Sequence, residues 1–167
     1  MLAACEPPDD AGPVGAAVVE PPPQSEPLTE AVAATVRELR TIASSGGYRE
    51  LAQLAAATPA FRSNNAGMSH REYWNLKERT GDFPAAHIGQ VLRRRHTVAD
   101  SPEGKVYIWP DLAMLKPAEI TPALAHEIDA LLGDGQAAEL RRGGVWPGYV
   151  LGIREDGAWL YFVSGSG

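Results

Sequence analysis

Cysteine is nearly missing from this chain: Cys5 is the only one in 167 residues. That excludes a Cys-based structural zinc site. No run of about 18 apolar residues occurs, so no segment is long and greasy enough to span a membrane. Lys and Arg are absent from residues 1–30, which carry Glu6, Asp9, Asp10, Glu20, Glu26 and Glu30. The remainder holds 15 acidic and 15 basic residues, so the net charge of −6 belongs to the N-terminal stretch and the body is neutral. A neutral body argues against a nucleic-acid binder, which needs a concentrated basic face. Catalytic signatures are missing too. There is no G-x-S-x-G elbow, and no Gly-Lys-Ser/Thr follows the Gly143-Gly144 pair. His126-Glu127 opens like a zinc-protease motif, but Ala130 stands where the second histidine belongs. No metal or cofactor is implied.

What is present begins at Leu2-Ala3-Ala4-Cys5. An aliphatic residue three positions before a cysteine and a small residue just before it are the pattern of a bacterial lipobox, at which the new N-terminal cysteine receives lipid. The basic start and apolar run of a full signal peptide do not stand ahead of it. This fits a start placed too far downstream, or a trimmed leader with Met1 supplied. The alternative is a cytoplasmic chain with a fortuitous Cys5. Behind the cysteine, residues 6–27 hold seven prolines among acids and small residues. Such a stretch buries too little apolar surface to offset its ordering entropy, and reads as a semi-rigid spacer. The expected organisation is a lipobox and disordered tether over 1–27 and one globular domain over 28–167.

Helical periodicity starts after Leu28, with Val32, Val36, Leu39 and Ala43 on one stripe, and stops at Ser44–Gly47. Tyr48, Leu51, Leu54 and Ala55 mark a second short helix, and residues 58–69 read as a loop. Ser69-His70-Arg71-Glu72 matches a capping box. The helix it opens should run to about Arg79 with Tyr73, Leu76 and Lys77 on one side. Pro84 suits the first turn of a fourth helix ending in Arg93–His96. Lys105–Trp109 reads as a strand, and Thr121-Pro122 as a helix start. Asp156-Gly157 predicts a two-residue hairpin turn, pairing Ile153 with Leu160, Arg154 with Trp159 and Gly152 with Tyr161. The expected fold is α+β: several helices on one face of a small antiparallel sheet of three strands, ending in a C-terminal hairpin.

Polar loops beside large aromatics are a common way to build a recognition groove. Asn64 and Asn65 lead into Tyr73-Trp74, while Trp109 and Trp146 each precede a proline where the chain turns. These six are the candidate binding residues. The competing reading is that the aromatics simply fill a core that has only three Phe to use. A hydrolase would draw on His70, Glu72 and His126, although His70 and Glu72, two residues apart, do not share a helix face.

The segments Ser69–Gly81 (SHREYWNLKERTG), Val106–Leu112 (VYIWPDL) and Gly152–Gly165 (GIREDGAWLYFVSG) together resemble uncharacterised lipoproteins of alphaproteobacteria. The resemblance covers residues 50–165 and implies no activity or catalytic residue. The final strand–Asp-Gly–strand also resembles the end of NTF2-like domains, which would imply a curved sheet of four or more long strands around a cavity. The leading expectation is a non-enzymatic domain held at the periplasmic face of a membrane by lipid on Cys5. Its partner there would be an envelope protein or a cell-wall ligand. An envelope hydrolase or an NTF2-like ligand binder are the alternatives.

Overall fold

The computed structural model describes residues 25–165. The lipobox with Cys5, and the expected tether up to residue 24, lie outside the described residues. The fold is α+β, with six helices and one four-stranded antiparallel sheet. The helices are α1 Glu30–Ser45, α2 Tyr48–Ala56, α3 His70–Arg79, α4 Pro84–Val91, α5 Pro122–Leu132 and α6 Gln136–Arg141. The strands are β1 Thr97–Ser101, β2 Gly104–Trp109, β3 Tyr149–Arg154 and β4 Trp159–Ser164, joined in the order β1-β2-β3-β4.

Local chemistry sets the helix ends. Thr29 caps α1 by accepting from the Val32 amide, and Gly46 closes it in the left-handed conformation, which costs glycine little. The capping box at Ser69 and Glu72 is formed, with each side chain accepting from the other's backbone amide. Pro84 begins α4, and Thr121 caps α5 ahead of Pro122. Two details differ from the sequence reading. Trp74, not Leu76, is the buried residue of α3, and Leu76 is 45% exposed. The α4 helix stops at Val91, before the arginines, where Arg95 turns aside to pair with Asp111 and Glu127.

The sheet divides two packing layers. Tyr149, Leu151 and Ile153 of β3 face the main core, made with Tyr107, Trp109, Trp159, Phe162 and the inner faces of α1 to α4. Val150 points to the other side, where a smaller cluster joins Leu112, Ile120, Ile128, Leu140 and Trp146. Residues 25–27, assigned to the spacer, lie against the β1–β2 hairpin. There His96 Nε2 meets the Glu26 carbonyl at 2.7 Å, Lys105 pairs with the Glu26 carboxylate at 2.6 Å, and the Tyr107 hydroxyl donates to Pro27 at 3.3 Å.

Strand β1 is a fourth strand that the sequence does not predict. Its residues TVADS place only Val98 against the core, so no apolar alternation marks it. The hairpin turn also differs. Gly157 donates to the Arg154 carbonyl at 2.8 Å and Arg154 donates to the Ala158 carbonyl at 2.9 Å, so the loop has three residues, Glu155–Gly157. A two-residue type I′ turn needs positive φ at both central residues. Here Gly157 has φ 89° while Asp156 is not among the positive-φ residues. The one-residue shift is undone at once by a bulge at Leu160, because Ile153 pairs with Trp159 and Gly152 with Tyr161. From Gly152 outward the expected register therefore holds. Between the two irregularities Trp159 swings from the outer face into the core, opposite Ile153.

Candidate functional site

The most promising concavity lies along the outer edge of β4, with a volume of about 590 Å³. Its floor and walls come from two stretches far apart in sequence. One is the segment Phe61–Asn65 with His70 at the start of α3, and the other is Tyr161 and Val163 of β4. Ala60 and Ala66, with φ 62° and 48°, turn the chain at either end of the segment. Between them the backbone is pinned to β4. The Arg62 amide donates to the Leu160 carbonyl and the Phe162 amide donates to the Arg62 carbonyl, both at 3.0 Å, as in a parallel bridge. Asn64 continues the pairing with its side chain. Its Nδ2 donates to the Ser164 carbonyl at 3.1 Å, and its Oδ1 accepts from the Ser164 amide at 2.7 Å.

Held this way, the Arg62 guanidinium sits 5.3 Å from the centre of the Tyr161 ring. The ring in turn lies across bare Gly152, where a Cβ would fall 2.2 Å from the ring Cζ. Burial pushes the Tyr161 hydroxyl above its ordinary pKa, opposed by the charge on Arg62. Ser63 Oγ and His70 Nδ1 are 2.9 Å apart. Burial also holds the His70 imidazole below the ordinary histidine value. In the neutral ring the Ser63 hydroxyl can donate to Nδ1, which leaves the Nε2 proton for another acceptor. None of the residues lining the concavity is acidic.

The His70 shift fixes a pH dependence. A group whose pKa is depressed on folding favours the unfolded state when it is protonated. Its contribution to stability is present above the unfolded value of about 6.5 and is lost as pH falls through that value toward the folded one. We expect the His70 ring, followed by NMR, to titrate below 6.5. The melting temperature should fall between about pH 7 and pH 5, less steeply in His70→Gln. A midpoint above 6.5 would contradict the burial of the ring.

The structure brings together only part of the expected groove. Asn64 and Asn65 line the concavity, but Asn64 serves the sheet and Asn65 Nδ2 donates to the Met68 carbonyl. Trp74 is 1% exposed and lies behind the concavity, packed on Phe61, His70 and Trp159 at ring separations of 6.1, 5.8 and 6.1 Å. Tyr73 is half-buried, under the Lys77 ammonium at 6.0 Å. Trp109 belongs to the main core and Trp146 to the smaller cluster on the opposite side of the sheet. Those two tryptophans fill space and line no shared groove with Asn64.

The hydrolase set His70, Glu72 and His126 is not assembled. The Glu72 carboxylate is taken by the Ser69 amide and hydroxyl, at 3.1 and 2.7 Å, which holds its pKa low. His126 is exposed on α5, which packs with the smaller cluster, whereas His70 sits on the side of the main core. Among the described residues no group of three or more His, Cys, Asp and Glu could hold a metal ion. An NTF2-like cone is not formed either. The four strands have five or six residues each, and packed side chains fill the space between sheet and helices.

A second polar cluster joins α3, α4 and β3. Asp82 meets His87 Nε2 at 2.5 Å, pairs with Lys77, and accepts from the Tyr149 hydroxyl at 3.3 Å. Burial alone would raise the Asp82 pKa, but the bonds from Lys77 and His87 outweigh it and hold the carboxyl low. Each polar group here faces another, so the cluster reads as a clamp between elements.

Sequence reasoning missed Tyr161 and Val163 as site residues, and reached Arg62 and Ser63 only as part of a loop. Ser63 and His70 stand seven positions apart, a spacing with no signature of its own. Tyr161 reaches Arg62 only through the fold. No known protein family matches the chain, and no curated protein or solved structure is detectably similar to it.

Proposed function

We propose that this protein is a non-enzymatic ligand-binding domain of the bacterial cell envelope, tethered to a membrane by lipid on Cys5. The observation that carries the binding half is the concavity on the β4 edge, with its pinned backbone and acid-free lining. The tether half rests on Leu2-Ala3-Ala4-Cys5 and the proline-rich acidic stretch behind it. The fold adds a geometric argument. Residues 25–27 enter at the β1–β2 hairpin, whereas the concavity opens beside β4, at the far edge of the sheet. Two strand spacings of about 4.8 Å separate β2, which Glu26 and Pro27 touch, from β4.

No helix among the described residues is long and apolar enough to cross a membrane. An anchor of this type needs only the cysteine. The Ser63–His70 pair does not favour a hydrolase over a binding site, because none of the residues lining the concavity is a carboxylate that could orient the imidazole.

The test of the tether is the intact mass of the N-terminal peptide, from the gene expressed with its upstream DNA in a bacterial host. A diacyl- or triacylglyceryl mass on Cys5, lost in Cys5→Ser, is expected. An unmodified Cys5 in the soluble fraction would sink the envelope assignment and leave the binding site to be judged separately.

A further inference from the structure

We infer that the concavity on the β4 edge takes a carboxylate-bearing ligand with an apolar body, its carboxylate held by Arg62. This rests on the reading of the concavity as a ligand site and adds the chemical class. Arg62 is the only residue with a permanent charge in the lining, and among the described residues it has no acidic partner. Its planar fork of donors matches a carboxylate in two-pronged fashion. The backbone bonds at both its amide and its carbonyl fix where the side chain starts, and the Tyr161 ring supports the guanidinium from one side. Part of the ordering is therefore in place before a ligand binds.

The remaining lining decides the rest of the ligand. Ser63, Asn65 and His70 are neutral hydrogen-bonding groups, so one cation faces one negative charge. A doubly charged phosphate would leave charge uncompensated beside partly buried walls. Val163 and the uncovered edges of Phe61 and Tyr161 supply apolar surface for the body of the ligand. A volume of about 590 Å³ falls within the range of small-molecule sites, roughly 300–1,000 Å³. The carboxylate could belong to a free aryl acid or to the end of a peptide, and the same donors would hold either.

The experiment uses amide NMR of the 167-residue chain titrated with phenylacetate, with its neutral isostere phenylacetamide, and with N-acetylphenylalanine. Shifts are expected at residues 61–65, 70 and 161–163, with phenylacetamide weaker by about tenfold or more, the value of a charge-assisted bond pair. Arg62→Gln, which keeps the backbone pairing, should bring phenylacetate down to the affinity of the amide, and Arg62→Lys should restore part of it. Tighter binding of N-acetylphenylalanine supports a chain end as the source. Tighter binding of phenylacetate supports a free acid. Equal binding of phenylacetamide at the same residues would overturn the carboxylate and leave the concavity as a ligand site. No shifts at those residues with any probe would overturn both.

Discussion

Replacing Trp159 by Ala is expected to lower stability by about 3–5 kcal/mol, the cost of removing a large aromatic from a packed core. In urea denaturation followed by circular dichroism this should appear as a lower midpoint with little change in slope. Trp159 is 1% exposed and touches three aromatic neighbours. The ring of Phe61 lies at 4.5 Å, that of Trp74 is stacked at 6.1 Å, and that of Phe162 lies at 6.4 Å. Its indole N–H is buried with no partner. Trp159→Phe should therefore cost much less than Trp159→Ala. It keeps most of the packing and removes a buried donor whose desolvation costs about 1–3 kcal/mol. The pair of variants also tests the hairpin. A two-residue turn would put Trp159 on the outer face beside Arg154, where truncation costs well under 1 kcal/mol. A small effect of Trp159→Ala would thus refute the three-residue loop and the bulge that follows it.

The second large effect is expected at Gly152. A Cβ there would lie 2.2 and 2.4 Å from two ring carbons of Tyr161, so Gly152→Ala forces the ring off the strand. Overpacking of this kind costs about 1–3 kcal/mol. Lifting Tyr161 also removes the support beneath Arg62, so probe binding should fall along with the melting temperature. The cause is separable by a double-mutant cycle. With Tyr161→Ala already in place the clash is gone, and adding Gly152→Ala should cost little. Full additivity of the two changes would mean that ring and glycine do not meet.

Much of the helical half of this fold is legible in the sequence because its signals are local. Ser69 and Glu72 stand at capping-box spacing, Thr121-Pro122 is a cap followed by a proline at the first helical position, and Val32, Val36 and Leu39 recur at helical period. The sheet is legible only where apolar residues alternate. Thr97–Ser101 became a strand because β2 offers it a partner, not because its own residues demand one. The Asp156-Gly157 pair predicts a tight turn, and the chain turns there. The three-residue loop lies against the start of α1, where the Thr29 and Thr35 hydroxyls donate to the Glu155 and Gly157 carbonyls at 2.8 and 2.7 Å. The site was the least legible part. Asn64 and Asn65 are there, but the groups that give the concavity its chemistry meet across about a hundred residues of chain. Large aromatics proved a poor guide, since Trp74, Trp109 and Trp146 all went to the interior.

The pinning of Arg62 and Asn64 onto β4 bears on how this protein behaves when concentrated. An unpaired strand edge is a template for sticking to other chains, and fibrillar aggregates need two such edges per copy to keep growing. Here one side of the sheet is occupied by the chain's own segment. Among the described residues β1 pairs only with β2, so only the β1 side stays open. Strand addition between native copies would then stop at a pair. Loss of the Asn64 side chain would bare the end of β4 and remove part of that protection against runaway self-assembly.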